Sequence, residues 1–208
     1  GIVNIELKEG DSKKTDGSLS IYSGDHLTAN DKIFTNLHDF SPLSNTVIDA
    51  GLNGPLSIIS REGKFTYNIS LRYSDQTGHL YGVKEHEPDD IADFRFSDNW
   101  YIEMGGDSSY VPMNPSKRLN TLAKLTYKIN PKTKISIQDI LNESNWNSYV
   151  HSYRFNPDGT YNYKSKNRNT SLKLNKAFKS GFLSLNIFHN TTKYNNYVYE
   201  DPFDSRYV

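Results

Sequence analysis

The residues best suited to metal chemistry form one acidic run around a histidine. Glu85, His86 and Glu87 are adjacent, and three aspartates follow between positions 88 and 93. Carboxylate and imidazole groups can bind a divalent metal. Charge runs of this kind are more often solvated loops, however, and no H-x-x-x-H or H-E-x-x-H pair accompanies this one. The sequence therefore predicts no metal site and no cofactor.

Signatures of catalysis are absent from the sequence. It contains no G-x-S-x-G, no G-x-x-x-x-G-K-[ST] and no G-x-G-x-x-G motif. It also contains no cysteine, which excludes thiol nucleophiles, disulfides and Cys-ligated zinc. Carboxylates are plentiful, but no pattern fixes the separation that a glycosidase needs. We therefore predict that the chain is not an enzyme.

Binding chemistry is concentrated instead in aromatic residues that alternate with Asp, Asn and Arg. Aromatic faces with polar neighbours suit sugars, chelates or peptides. Any single ring can equally serve to pack one loop against another. The predicted ligand-binding residues are Trp100, Tyr101, Tyr110, Tyr149, Tyr153, Phe155, Tyr161 and Tyr163.

The elements that must position these residues are β-strands, because apolar and polar residues alternate along the chain. A period of two indicates strands rather than helices, and no amphipathic helix of useful length is evident. We therefore predict an all-β chain folded as an antiparallel meander of seven strands. The predicted strands are residues 17–24, 46–57, 64–78, 118–130, 135–146, 167–178 and 182–194.

The connections between these strands alternate strictly between short and long. Every second connection is long, so all long loops must leave the same end of the sheet. Outer-membrane barrels have this asymmetry, with short periplasmic turns, long extracellular loops and a polar lumen. A polar lumen also explains why only 35% of the residues are hydrophobic. The pattern predicts a partial transmembrane β-barrel with long extracellular loops.

Four segments resemble one family of outer-membrane proteins. The sequence GIVNIELK at residues 1–8 is similar to the last plug-domain strand of TonB-dependent receptors, and Gly54-Pro55 resembles their first periplasmic hairpin. The sequences YRFNPDG at 153–159 and YVYEDPFDSRYV at 197–208 resemble extracellular loops of one subgroup. In that subgroup the plug follows a carboxypeptidase-regulatory-like domain.

The resemblance implies a fragment of such a receptor in the bacterial outer membrane. Residues 1–10 would be the last strand of the plug domain, and residues 11–208 the N-terminal part of a barrel of about 22 strands. The implied partners are outer-membrane lipid, the inner-membrane TonB energy-coupling complex and an extracellular ligand. That ligand would be a siderophore, cobalamin, oligosaccharide or peptide, taken up actively.

The charge balance gives no sign of a nucleic-acid partner. The chain has 24 basic and 24 acidic residues, so it has no excess of positive charge that would mark a nucleic-acid-binding surface.

The alternative function is a soluble all-β carbohydrate- or ligand-binding module, which Tyr- and Trp-containing loops would also fit. A sandwich does not require one-sided loop lengths, so their alternation favours the barrel.

Overall fold

The computed structural model describes residues 7–30, 32–59 and 62–207, which form eleven β-strands and two short 3₁₀ turns. None of the helical turns in this part of the chain has the length and apolar character to cross a membrane. The strands are β1 (Asp16–Gly24), β2 (Asn45–Pro55), β3 (Phe65–Gln76), β4 (Tyr81–Val83), β5 (Ala92–Asp93), β6 (Tyr101–Ile102), β7 (Tyr110–Pro112), β8 (Ser116–Asn130), β9 (Thr133–Asn147), β10 (Asn162–Ala177) and β11 (Phe182–Tyr197). The 3₁₀ turns are His151–Tyr153 and Pro157–Gly159.

Seven strands form one antiparallel sheet in the order β1-β2-β3-β8-β9-β10-β11. Each pairs with the previous long strand of the chain, so the predicted all-β meander of seven strands is confirmed. Strand β10 begins at Asn162, five residues before its predicted start, because its first residues pair with the end of β9. The remaining short strands pair as two ribbons, β4 with β7 and β5 with β6, inside a segment predicted to be an irregular loop.

The alternation of connection lengths is also present in the structure. Residues 25–44, 77–115 and 148–161 connect strands at one end of the sheet, and residues 56–64, 131–132 and 178–181 at the other. We call these the loop end and the turn end. Most of the plug strand predicted at 1–8 lies outside the described residues, and Leu7 and Lys8 are not in a strand.

The two faces of the sheet differ in chemistry. Residues directly opposite each other in neighbouring strands share a face, so the register shows which side chains lie together. One register row runs through Tyr67, Leu125, Ile137, Leu172 and Ile187, and its side chains define the apolar face. The adjacent row on the other face defines the polar face. Its members are Asn68, Lys124, Gln138, Ser171 and Phe188.

The chain before β1 lies across the polar face at the turn end. This N-terminal strap, residues 7–15, is held by side chains of the sheet. The Lys124 ammonium donates to the carbonyl of Leu7 (2.7 Å), and the Asn68 amide donates to the carbonyl of Lys8 (2.9 Å). Glu9 forms an ion pair with Lys134. The strap therefore attaches to the sheet mainly through polar contacts.

Burial in this chain is the reverse of that in a soluble sheet, where the apolar face is covered. Thr66, Lys124, Thr126 and Ser136 are buried on the polar face. Large side chains of the apolar face, in contrast, are 42–59% exposed along much of the sheet: Leu52, Ile69, Leu125, Ile129, Ile137, Leu172, Leu183, Leu185 and Ile187. Among the described hydrophobic residues other than proline, only Leu7, Leu37 and Met113 are buried.

Replacing Gly10 with alanine tests the close approach of the strap to β3. A Cβ at Gly10 would lie 2.0 Å from the carbonyl oxygen of Tyr67, so the strap must move away. We expect a loss of about 1–3 kcal/mol, as for other overpacked sites, with faster hydrogen exchange of the amides in 7–15. Gly24→Ala is the matched control, because its Cβ meets nothing within 4 Å. Equal exchange in both variants would contradict the described strap.

Candidate ligand-binding loops

The second and third long loops form one structural unit at the loop end. The backbone N–H of Val83 donates to the carbonyl of Arg154 (2.7 Å), and that of His86 to the carbonyl of Phe155 (2.9 Å). Gly82 permits this approach, since a Cβ there would lie 2.6 Å from the Arg154 carbonyl oxygen. Met113 packs beside it and is almost completely buried. This contact between loops fixes the base of the candidate site.

A cation bridges the same two loops. The Lys84 ammonium lies 2.8 Å from a carboxylate oxygen of Asp158 and 2.8 Å from one of Glu87. The Lys84 side chain is only 20% exposed. The hydrogen bond to Asp158, with that to Glu87, raises the pKa of Lys84 well above its ordinary value. Lys84 is therefore a fixed positive charge that joins 77–115 to 148–161.

The segment after β11 completes the unit and helps to line an open cavity of about 520 Å³. Its wall includes Lys84, Asn162, Tyr199 and Arg206. The Arg206 guanidinium makes two hydrogen bonds to Asp204 (2.9 and 2.7 Å) and lies 3.9 Å from the Tyr199 ring centroid. Arg206 lowers the pKa of Asp204 to about 2. The cavity thus offers ionic groups, an amide and one aromatic ring.

The predicted aromatic residues do not form a single cluster. Tyr149, Tyr153 and Phe155 belong to the third loop, where the Tyr149 hydroxyl contacts the His151 ring (2.7 Å). Trp100 lies next to β6, at the tip of the second loop. The side chains of Trp100, Tyr101, Tyr110, Tyr153, Phe155 and Tyr161 are each at least 40% exposed.

Tyr163, which precedes the predicted start of its strand at residue 167 and was expected in or beside an extracellular loop, lies in β10. It is directly opposite Trp146 in the register, and the two rings stack with centroids 5.4 Å apart and planes 15° apart. The ring centroid of Tyr194 in β11 lies 6.2 Å from that of Trp146, and the ring centroid of Tyr161 lies 6.4 Å from that of Tyr163. These rings form an aromatic row on the polar face, at the loop end of three strands.

The side chains of the acidic run around His86 do not converge on one point. They make hydrogen bonds at the base of the β5–β6 hairpin instead. The Asp90 carboxylate accepts hydrogen bonds from the N–H groups of Glu87 (3.0 Å) and Gly105 (2.9 Å). The His86 ring contacts the carbonyl of Glu103 (2.7 Å). Across residues 7–30, 32–59 and 62–207, no three His, Asp or Glu side chains are placed to share a metal ion.

Sequence reasoning missed the charged residues of the cavity. Lys84 and Asp158 are far apart in the chain, and nothing local shows that they meet. Arg206 had a detectable signal, because the Asp-x-Arg spacing of Asp204 and Arg206 recurs at Asp93 and Arg95. Both arginines make paired hydrogen bonds to the preceding aspartate.

Comparisons of this chain with protein-family models, with curated proteins and with solved structures found no match. Its function must therefore be argued from its own residues.

The hydrogen bonds of Asp90 predict how the base of the hairpin responds to pH. Hydrogen bonds from Gly105 and then Glu87 lower the Asp90 pKa, so the stability that they give the folded hairpin is fully present above the ordinary pKa of about 3.9. It is lost as pH falls through the lowered value. The Gly105 amide resonance should therefore titrate with a midpoint below about 3.9. Asp90→Asn should abolish this titration, and Asp98→Asn should leave it unchanged. A titration that survives in Asp90→Asn would refute the assignment.

Proposed function

We propose that this chain is part of the barrel wall of a TonB-dependent outer-membrane receptor. In this proposal the apolar face contacts lipid, the polar face lines the lumen, and the loop end is extracellular. The observation that carries it is an exposed apolar band running diagonally across one face of the sheet.

The diagonal follows from the register of the strands. In β1, Leu19 and Ile21 lie level with Leu71 and Tyr73 of β3, through their partners in β2. The exposed apolar residues Leu185 and Ile187, on the same face in β11, are level with Phe65 and Tyr67 of β3. Each therefore lies three same-face rows nearer the turn end than its counterpart in β1, and Leu183 of β11 lies nearer still.

Charged residues replace the apolar ones on the loop side of this band. In β9 and β10, Asp139 accepts hydrogen bonds from Arg168 (3.0 Å) and Thr170 (2.5 Å). Two rows further toward the loop end on the same face, beyond Leu141 and Arg168, Glu143 pairs with Lys166 (3.0 Å). The apolar face is therefore divided along each of these strands into an apolar part and an ionic part.

A tilted barrel wall accounts for the diagonal. Strands of membrane barrels tilt by about 35–45°, so a plane parallel to the membrane crosses successive strands at successive register positions. The apolar residues that contact lipid therefore shift along the strands, in one direction, from each strand to the next. A soluble sheet gains nothing from an exposed band of this form, since it must cover its apolar face.

The strap and the loops fit the same proposal. The strap occupies the polar face at the turn end, where the last part of a plug would enter the barrel from the periplasmic side. Ligand uptake would require the bacterial outer membrane, the inner-membrane TonB complex and a ligand bound by the extracellular loops. The Lys84 cavity and the exposed aromatic residues are the candidate contacts for that ligand, and no step of bond-making chemistry is proposed.

An arginine placed in the apolar band distinguishes lipid from water around it. Ile69→Arg in the full-length gene product, refolded in phospholipid vesicles, should lower the free energy of unfolding by about 2–4 kcal/mol. Desolvation of the guanidinium is the cause. Denaturant titration followed by tryptophan fluorescence measures the change.

His189→Arg is the matched control. His189 lies on the same face and in the same register row as Ile69, but beyond the apolar band, so we expect a change within about 0.5 kcal/mol. If Ile69→Arg is equally neutral, and the protein is monomeric and cooperatively folded in plain buffer, the barrel proposal fails. The soluble all-β binding module would then be the better interpretation.

A further inference from the structure

The tip of the second loop exposes an unusual number of apolar side chains. Residues 91–104 form the β5–β6 hairpin with its flanks, and seven large apolar side chains there are 51–67% exposed. They are Ile91, Phe94, Phe96, Trp100, Tyr101, Ile102 and Met104. Contiguous exposed apolar groups of this kind mark interaction sites. The other described loop residues do not cover this tip.

The hairpin is held in place at its base. Besides the contacts of Asp90, the N–H of Glu103 donates to the carbonyl of Ile91 (2.9 Å), and the N–H of Ile91 donates to the Glu103 carboxylate (3.0 Å). At the tip, the rings of Phe94 and Trp100 meet edge to face, 5.6 Å apart. A preorganised apolar surface loses little conformational entropy when a partner binds.

The charge around the hairpin restricts which partner fits. Residues 84–107 contain eight carboxylates and two cations, Lys84 and Arg95, which gives a formal charge of −6. The β10 segment, in contrast, contains five basic residues and no acidic one. The zero net charge of the chain therefore conceals a strongly negative surface around the exposed hairpin.

We propose that the hairpin at 91–104 binds a cationic peptide with apolar side chains, as the external ligand of the receptor. This inference rests on the proposed function and selects one of its ligand classes. The negative field repels anionic iron chelates and attracts basic residues. A neutral oligosaccharide or cobalamin gains nothing from the charge. Ile, Phe and Met side chains offer apolar contact to a peptide rather than the hydrogen bonds that a sugar requires.

Peptide binding to the full-length gene product in phosphatidylcholine nanodiscs tests the inference. The probe is a fluorescein-labelled peptide of alternating Lys and Leu, with a Glu–Leu peptide and maltoheptaose as comparisons and empty nanodiscs as background. We expect saturable binding of the Lys–Leu peptide only, weakened about tenfold at high salt because screening removes the attraction. Equal binding of both peptides, no binding above empty nanodiscs, or displacement by maltoheptaose would overturn the inference.

Variants separate the hairpin from the rest of the loop end. Phe94→Ala combined with Trp100→Ala should weaken binding of the Lys–Leu peptide about tenfold, the loss typical of aromatic anchors. Leu27→Ala removes a similarly exposed apolar side chain from the first long loop and should change nothing. Equal effects of both variants would contradict the assignment to the hairpin. Protein that enters lipid without binding peptide refutes this inference alone, whereas failure to enter lipid refutes the proposed function.

Discussion

The structure depends on one constraint, which is that a single antiparallel ladder fixes the face of every side chain in seven strands. A slip of one residue in any pairing would exchange the two faces of that strand. The register keeps Leu125, Ile137 and Leu172 together on the apolar face. It also keeps Lys124 and Asn68 on the other face, where they bind the strap. Backbone pairing therefore organises both the exposed apolar band and the covered polar surface.

The covered surface is stabilised by polar groups rather than by an apolar core. A buried ammonium is costly unless it is paired or hydrogen-bonded, and the Leu7 carbonyl accepts a hydrogen bond from Lys124. Glu9 performs a similar role for two lysines, because Lys128 and Lys134 are directly opposite each other and would otherwise repel. The strap therefore supplies the polar partners that allow the sheet to bury charged side chains on this face.

The loop end repeats this use of polar contacts to combine distant segments. Lys84 joins the second and third loops, Arg206 and Tyr199 bring the segment after β11 to the same cavity, and Asp90 closes the hairpin. The apolar tip is left outside these contacts. A charge separation accompanies this arrangement, since the first two long loops are predominantly acidic and β8 and β10 predominantly basic. Composition alone, with 24 charges of each sign, gives no indication of it.

The sequence by itself determined the seven strands, the alternation of short and long connections and the two chemically distinct faces, because a period of two and turn residues act locally. It did not determine that Tyr163 extends β10 and stacks on Trp146, that Lys84 meets Asp158, or that the strap lies on Lys124. The ribbons within 77–115 also escaped prediction. Only the tertiary structure decided these features, because they depend on strand register and join residues that are distant in the chain.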